Sequence, residues 1–101
     1  MKKEITMKNI LITGASQGIG KATAIEAAKV QMFVGINYNQ NIEAAEKCLK
    51  LVRESGGDGT ILKCNVAINK SVKDMFNKFL DKAGTIDGVF NNAGNTGAIF
   101  T

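Results

Sequence analysis

Short apolar segments alternate along the chain with longer stretches in which apolar residues recur at helical spacing. The apolar segments predict four strands, at about residues 8–13, 32–37, 60–65 and 86–91. The stretches between them predict three helices, at about residues 17–29, 41–55 and 70–83. Residues 1–7 are expected to be a frayed start.

The apolar positions of each predicted helix are expected to face the sheet. In the first helix they are small, so that the helix can lie close to the strands: Ala22, Ala24, Ala27 and Ala28. In the second helix they are Ile42, Ala45, Leu49 and Val52. In the third helix they are Val72, Met75, Phe76, Phe79 and Leu80.

Several residues mark where the predicted helices begin and end. Asn41 is suited to cap the second helix, and Gly84 is suited to stop the third. The second helix is expected to end at a glycine cluster, Gly56, Gly57 and Gly59. The first helix lacks the usual glycine and has Val30 and Gln31 in its place, so that turn is predicted to be either different or strained.

The turn between the first strand and the first helix is rich in glycine. Gly14, Gly18 and Gly20 give the spacing G-x-x-x-G-x-G directly after an apolar strand. Free backbone N–H groups and the helix dipole favour an anion there, and glycine lets a phosphate approach the backbone. The alternative is that these glycines only form a tight turn. The strand before them and the helix after them favour a phosphate site.

The order of elements is β-α-β-α-β-α-β, which implies a parallel sheet with right-handed crossovers. With a phosphate turn after the first strand, the expected spatial order of the strands is 3-2-1-4. The sequence therefore predicts a doubly wound α/β sheet, truncated to about four strands and three helices, in a single partial domain over residues 1–101.

Composition narrows the function classes. The 101 residues are 45% apolar and include no histidine, which removes the commonest general base and metal ligand. Cys48 and Cys64 lack metal-ligand spacing, so they are interpreted as small apolar residues in a reduced compartment, and no metal site is expected.

The charges are scattered rather than clustered. Thirteen Lys or Arg against nine Asp or Glu give a net charge of +4, which favours a solvated surface over a nucleic-acid interface. No apolar run approaches membrane length, and the Lys-rich start precedes too short an apolar stretch for a signal peptide. The sequence therefore predicts a cytoplasmic protein that binds neither nucleic acid nor a membrane.

Two motifs resemble signatures of the short-chain dehydrogenase/reductase family: TGASQGIG at residues 13–20 and NNAG at residues 91–94. Two further segments agree with that family, CNV at residues 64–66 and GTIDGVFNNAG at residues 84–94. The resemblance covers about residues 8–97. It implies a Rossmann-like, NAD(P)-binding fold.

The resemblance also implies which residues bind the cofactor. The pyrophosphate and the adenosine ribose would be held by Gly14, Ala15, Ser16, Gln17, Gly18, Ile19 and Gly20. Tyr38 and Asn39 would lie beside the adenosine, and Asn65 and Val66 would face the adenine. Near the nicotinamide, the ribose would be approached by Asn92, Ala93 and Gly94, while Asn91 would tie this loop to neighbouring strands. Alternatively, the NNAG asparagines only satisfy loop backbone groups.

The choice of cofactor depends on the end of the second strand, where an acidic residue favours NAD and a basic one suits the 2′-phosphate of NADP. This sequence has Tyr38 and Asn39 there, which are neither, and the turn residue Gln17 is also neutral. Ser16, Asn37 and Asn39 could donate hydrogen bonds to a phosphate. The sequence favours NADP(H), with NAD as the alternative.

The family's catalytic residues are a Ser, a Tyr and a Lys, with Tyr-x-x-x-Lys as the signature. The single tyrosine, Tyr38, is followed four residues later by Ile42, and it is interpreted as half-buried beside the adenosine. No catalytic residue is therefore assigned, and the chain is expected to be inactive alone.

The resemblance implies an NAD(P)-dependent oxidoreductase that reduces a carbonyl or oxidises an alcohol, with a 3-oxoacyl thioester or a sugar as substrate. Here only its cofactor-binding half is present, and full-length relatives are expected to be homo-oligomers. The alternative is a non-catalytic dinucleotide-binding or interaction module, or a truncated remnant. In either case the fourth strand is expected to be an open edge and the isolated chain to have marginal stability.

Overall fold

One sheet organises the chain in the computed structural model, which describes residues 8–92 and the backbone of residues 97–100. The strands are β1 (Asn9–Thr13), β2 (Phe33–Tyr38), β3 (Asp58–Lys63), β4 (Gly88–Asn91) and β5 (Gly97–Phe100). The helices are α1 (Gly18–Lys29), α2 (Ile42–Glu54) and α3 (Asn69–Ala83). The spatial order is β3-β2-β1-β4-β5. The first four strands are parallel, so the predicted order 3-2-1-4 is confirmed.

The outer edge of β4 is paired. β5 runs antiparallel to β4, with Gly88 opposite Phe100 and Asn91 opposite Gly97. The prediction of an open edge at the fourth strand is therefore wrong. The four residues of β5, which follow the NNAG segment in the chain, supply the main-chain partners of β4.

The third strand begins two residues before the predicted start. Gly59, which the sequence predicts to be part of the helix stop, lies inside β3. A Cβ at this position would collide with the carbonyl oxygen of Val34 on β2, so glycine allows β3 to pair closely from Asp58 onward. The glycine cluster therefore serves the strand as well as the end of α2.

The core has two layers because β1 is buried on both faces. Ile10 and Ile12 face the alanines of α1 and the buried side of α2, which is formed by Ala45, Cys48 and Val52. Leu11 faces the opposite layer, whose other buried residues are Leu62, Cys64, Met75 and Phe79.

Three residues predicted to face the sheet are exposed, one in each helix: Ala22 in α1, Ile42 in α2 and Leu80 in α3. Ile42 is 46% exposed because it is the first residue of α2, and the buried row runs through Ala45, Cys48 and Val52 instead. Leu80 is 40% exposed because it lies one position beyond Phe79, about 100° further round α3. For each helix, the apolar positions predicted from helical spacing include one residue that does not face the core.

The thiols of Cys48 and Cys64 are free and buried, as the sequence predicted. Burial raises the pKa of both, and the nearby Asp74 carboxylate raises that of Cys64 further. Both side chains therefore stay neutral and pack as small apolar groups. In the described ranges, 8–92 and 97–100, no helix combines the length and apolar character needed to cross a bilayer.

The turn after α1 is strained, one of the two predicted outcomes. Gln31 has φ of 65°, in the left-handed region, and its N–H donates to the Ala28 carbonyl at 2.9 Å. Met32 N–H donates to the Ala27 carbonyl at 3.1 Å, which completes the helix end. The hydrogen bonds thus fix a conformation that suits glycine better than glutamine.

Gln31→Gly is expected to raise the free energy of unfolding by about 1 kcal/mol, since relief of left-handed strain exceeds the added entropy of the unfolded chain. Urea denaturation followed by far-UV circular dichroism measures the change. Val30→Gly is the control, because Val30 has an ordinary φ of −102° and should only lose stability. A lower stability for Gln31→Gly would contradict the strain.

Candidate functional site

The segment that joins β1 to α1 turns sharply at the carboxyl edge of the sheet. Gly14 and Gly18 have φ of 62° and 64°, which glycine adopts without the Cβ penalty. These two residues let the chain leave β1 and enter α1 within four intervening positions, as the G-x-x-x-G-x-G spacing predicted.

The third glycine of the turn permits a close approach. A Cβ on Gly20 would lie 2.5 Å from the Gly14 carbonyl oxygen, 2.8 Å from Asn92 Nδ2 and 2.9 Å from Ala15 Cα. The first turn of α1 is therefore pressed against the segment that leaves β1.

Residues at the end of β4 brace the same turn. Asn92 Nδ2 donates to the Gly14 carbonyl oxygen at 3.2 Å, and Thr13 Oγ1 donates to Asn91 Oδ1 at 3.0 Å. The two asparagines of the NNAG segment thus link β4 to β1 and to the glycine turn. These contacts match the loop-bracing role that is the alternative to cofactor binding for the two asparagines.

The N-terminus of α1 is left without a side-chain cap. Gln17 occupies the N-cap position in an extended conformation, and its side chain makes no capping hydrogen bond. The first turn contains no acidic residue. The N-terminal N–H groups and the positive end of the helix dipole are therefore available to an anion.

A cavity of about 530 Å³ opens beside this helix end, between the carboxyl ends of β1, β2 and β3. Its lining is uncharged throughout: Gly14, Ser16, Gln17, Asn37, Tyr38, Asn39, Gln40, Asn41, Cys64, Asn65 and Val66. A polar, neutral wall beside an anion-binding helix end suits a ligand with a heterocycle, a sugar and a phosphate. We refer to this space as the polar pocket.

The polar pocket brings together seven of the residues predicted from the sequence, namely Gly14, Ser16, Gln17, Tyr38, Asn39, Asn65 and Val66. Gly18 and Ile19 are exposed at the start of α1, with Ile19 70% exposed. Ala15 is fully buried in the core. Gly20 and Asn92 pack against the Gly14 carbonyl and do not line the pocket. Ala93 and Gly94 lie outside the described residues.

Two of these residues, Tyr38 and Asn37, differ from expectation, and Asn65 has an additional local role. Tyr38 is buried rather than half-buried, because its ring packs with the core beside α2. The side chain of Asn65 accepts a hydrogen bond from Ala67 N–H at 3.0 Å, so part of its polar group serves the local turn. Asn37 does not offer its amide to a phosphate, because that amide already lies within hydrogen-bonding distance of three main-chain carbonyls.

Sequence reasoning missed three residues of the pocket wall: Gln40, Asn41 and Cys64. The sequence predicts Asn41 only as a helix cap, and its Oδ1 does accept a hydrogen bond from Ala44 N–H at 3.0 Å. Its place in the pocket wall could have been predicted because it lies three residues after the end of β2, at the edge where the parallel strands of a doubly wound sheet form their ligand crevice.

A second cavity of about 350 Å³ lies between α3 and β4. Five apolar residues and three polar ones line it: Val66, Val72, Met75, Phe76 and Val89, with Thr13, Asn69 and Asn91. Val66 belongs to both cavities, so the two spaces meet at that residue.

Comparison with known proteins gives a consistent result. The family described as short chain dehydrogenase matches residues 8–100. A short-chain dehydrogenase/reductase homolog, YusS from Bacillus subtilis (strain 168), is 35% identical over 89 residues, which cover 88% of this chain and 82% of YusS.

Longer proteins match over the same region. A 3-oxoacyl-[acyl-carrier-protein] reductase from Synechocystis sp. (strain ATCC 27184 / PCC 6803 / Kazusa) is 40% identical over 92 residues, which cover 91% of this chain but 37% of that protein. The crystal structure of the NADH-dependent reductase A1-R′ complexed with NAD is similar with a TM-score of 0.83 and 36% identity, over 89% of this chain and 37% of that one. The chain thus spans little more than a third of these two proteins.

Proposed function

Because this chain belongs to the short-chain dehydrogenase family, we propose that it is the cofactor-binding part of an NAD(P)-dependent oxidoreductase that reduces a carbonyl or oxidises an alcohol. The observation that carries this proposal is the uncapped N-terminus of α1, which meets the uncharged polar pocket at the glycine turn. Residues 1–101 would form one partial NAD(P)-binding domain. The free thiols of Cys48 and Cys64 support a cytoplasmic location.

The proposed placement of the cofactor follows the surface of the polar pocket. The pyrophosphate would lie at the N–H groups from Ser16 to Gly20, and the adenosine would extend between Asn39 and Val66. The nicotinamide end would then point along β4 toward the second cavity, whose lining includes Thr13 and Asn91. Contacts of the nicotinamide ribose with Asn92, Ala93 and Gly94 stay a prediction from the sequence. The cofactor itself supplies the hydride chemistry.

A 3-oxoacyl thioester is the substrate class that we favour. This part of the proposal is supported by the 40% identity to a 3-oxoacyl-[acyl-carrier-protein] reductase. The second cavity is consistent with it, because its apolar wall of Val72, Met75, Phe76 and Val89 suits an alkyl chain.

NADP(H) is the proposed cofactor because the lining of the polar pocket contains no carboxylate to repel a 2′-phosphate. Ser16 and Asn39 keep side-chain donors at the pocket wall, and Asn39 is exposed at the end of β2. The A1-R′ reductase was solved with NAD, so NAD remains the alternative that an affinity comparison must test.

Asn39→Asp is expected to weaken NADPH binding about ten-fold or more, while NADH binding changes much less, since only NADPH brings a phosphate to the new carboxylate. Fluorescence titration with both cofactors measures the ratio of dissociation constants. Asn77→Asp, at an exposed position on α3, is the control for the change in net charge. Equal losses for NADPH and NADH would contradict a 2′-phosphate site at Asn39.

A non-catalytic dinucleotide-binding module is the second candidate function. The sequence contains no Tyr-x-x-x-Lys, and its single tyrosine, Tyr38, is 8% exposed within the core. YusS, which this chain covers over 82% of its length, gives this candidate a relative of similar size.

The intact mass of the native protein from its source cells distinguishes the two candidates. A mass near 10.8 kDa would favour a binding module that holds NADPH without turnover. A mass more than twice as large would favour the oxidoreductase, with its catalytic residues in the additional chain.

A further inference from the structure

One buried asparagine holds the glycine turn in place. Asn37 is the penultimate residue of β2, and it is 2% exposed. Its Oδ1 accepts a hydrogen bond from Gly14 N–H at 3.0 Å, and its main-chain oxygen accepts one from Ala15 N–H at 3.0 Å. The first two N–H groups of the turn are therefore both bound by this single residue.

The amide nitrogen of the same side chain faces the ends of the neighbouring strands. Asn37 Nδ2 donates to the carbonyl oxygens of Leu62 and Cys64, each at 3.2 Å, and lies 3.4 Å from that of Tyr38. A neutral carboxamide offers both an acceptor and two donors, which neither a carboxylate nor an apolar side chain of this size can do. Asn37 thus connects the glycine turn to β2 and β3 at once.

This arrangement decides which N–H groups remain for a ligand. Because Gly14 and Ala15 N–H are bound by Asn37, an anion must be met by the N–H groups that follow, from Ser16 to Gly20. We propose that Asn37 is a positioning residue, which sets the glycine turn so that these later N–H groups converge on the phosphates of the dinucleotide. This inference rests on the proposed function.

A second buried asparagine provides a matched control. Asn9, at the start of β1, is 5% exposed and lies at the opposite edge of the sheet. Its Nδ2 donates to the carbonyls of Ala83 and Thr85 and to Thr85 Oγ1, at 2.8 to 3.2 Å. It matches Asn37 in burial and in linking distant segments, but it contacts no part of the glycine turn.

The test compares Asn37→Ala with Asn9→Ala in the full chain. Urea denaturation gives the loss of stability, which we expect to be similar for the two variants. NADPH titration at low temperature and without urea gives the affinity. We expect Asn37→Ala to weaken NADPH binding about ten-fold, the effect of losing one buried hydrogen bond that orients the site. Asn9→Ala should stay within about two-fold of the wild type.

Amide hydrogen exchange of the wild-type chain tests the same contacts without any variant. Gly14 and Ala15 N–H should exchange slowly before cofactor is added, whereas Gly18 and Ile19 N–H should exchange fast and become protected by NADPH. Asn37→Ser, a milder substitution, should speed exchange at Gly14 even if Asn37→Ala does not fold.

The outcomes are distinguishable. Equal loss of NADPH affinity in Asn37→Ala and Asn9→Ala, or rapid exchange at Gly14 in the wild type, would overturn the role of Asn37 alone. Failure of the folded wild-type chain to bind NADPH would overturn the proposed function, and the inference with it.

Discussion

Gly20→Ala is expected to lower the free energy of unfolding by about 3 kcal/mol, the upper part of the range for overpacking, and to abolish detectable NADPH binding. The added Cβ would meet the Gly14 carbonyl oxygen, Asn92 Nδ2 and Ala15 Cα within 2.9 Å. Two of these three atoms belong to the backbone, so no side-chain rotation can relieve the contact. The first turn of α1 must move away from β1, and the N–H groups of the anion site move with it.

Gly18→Ala is the matched control for this experiment. Apart from its chain neighbours and the nearby backbone of α1, no atom in the described part of the chain lies within 4 Å of a Cβ built on Gly18, so the substitution adds mainly the strain of its φ of 64°. That strain costs about 1–2 kcal/mol, and binding should be weakened rather than lost. Urea denaturation and NADPH titration of both variants give the comparison. A larger loss for Gly18→Ala than for Gly20→Ala would contradict the close packing of α1 against the turn.

Phe79→Ala is expected to lower the free energy of unfolding by about 4 kcal/mol, as large-to-small substitutions of buried aromatic residues do. Phe79 is fully buried and its ring is stacked on that of Phe33, with centroids 5.9 Å apart. It also lies over Gly35 of β2, where the absence of a Cβ leaves room for the ring. The substitution would leave a cavity between α3 and the sheet.

Leu80→Ala tests whether this loss comes from burial rather than from the helix. Leu80 neighbours Phe79 on α3 but is 40% exposed, so its truncation should cost less than about 1 kcal/mol. Thermal or urea denaturation followed by circular dichroism measures both variants. Similar losses in the free energy of unfolding for Phe79→Ala and Leu80→Ala would contradict the structure, because they would show that the outer side of α3 is packed as tightly as its inner side.

The parts of the fold set by local chemistry were predictable from the sequence. Apolar runs and helical spacing placed the four parallel strands and three helices, and the glycine turn fixed the strand order. The missing glycine after α1 predicted a turn that is either different or strained, and strain is observed at Gln31. In each case the signal lies within a few neighbouring residues.

The parts set by tertiary contacts were not predictable in this way. The sequence around Gly59 predicts a helix stop, and only the close approach of the Val34 carbonyl shows why a strand needs glycine there. Helical spacing likewise predicts Leu80 in the core, and only the orientation of α3 on the sheet shows that it is exposed. Asn37 illustrates the same limit at the candidate site. From the sequence it is a free donor for a phosphate, but three carbonyls at the ends of β2 and β3 surround its amide once the sheet forms.

Titration of the folded 101-residue chain with NADPH, NADH and adenosine 2′,5′-bisphosphate by isothermal calorimetry tests the central claim most directly. The polar pocket and the α1 N-terminus predict one site per chain, tighter binding of NADPH than of NADH, and competition by the bisphosphate, which carries the adenosine with its 2′- and 5′-phosphates but no nicotinamide. A chain that is folded by circular dichroism yet binds none of the three would contradict the claim that this site holds a dinucleotide.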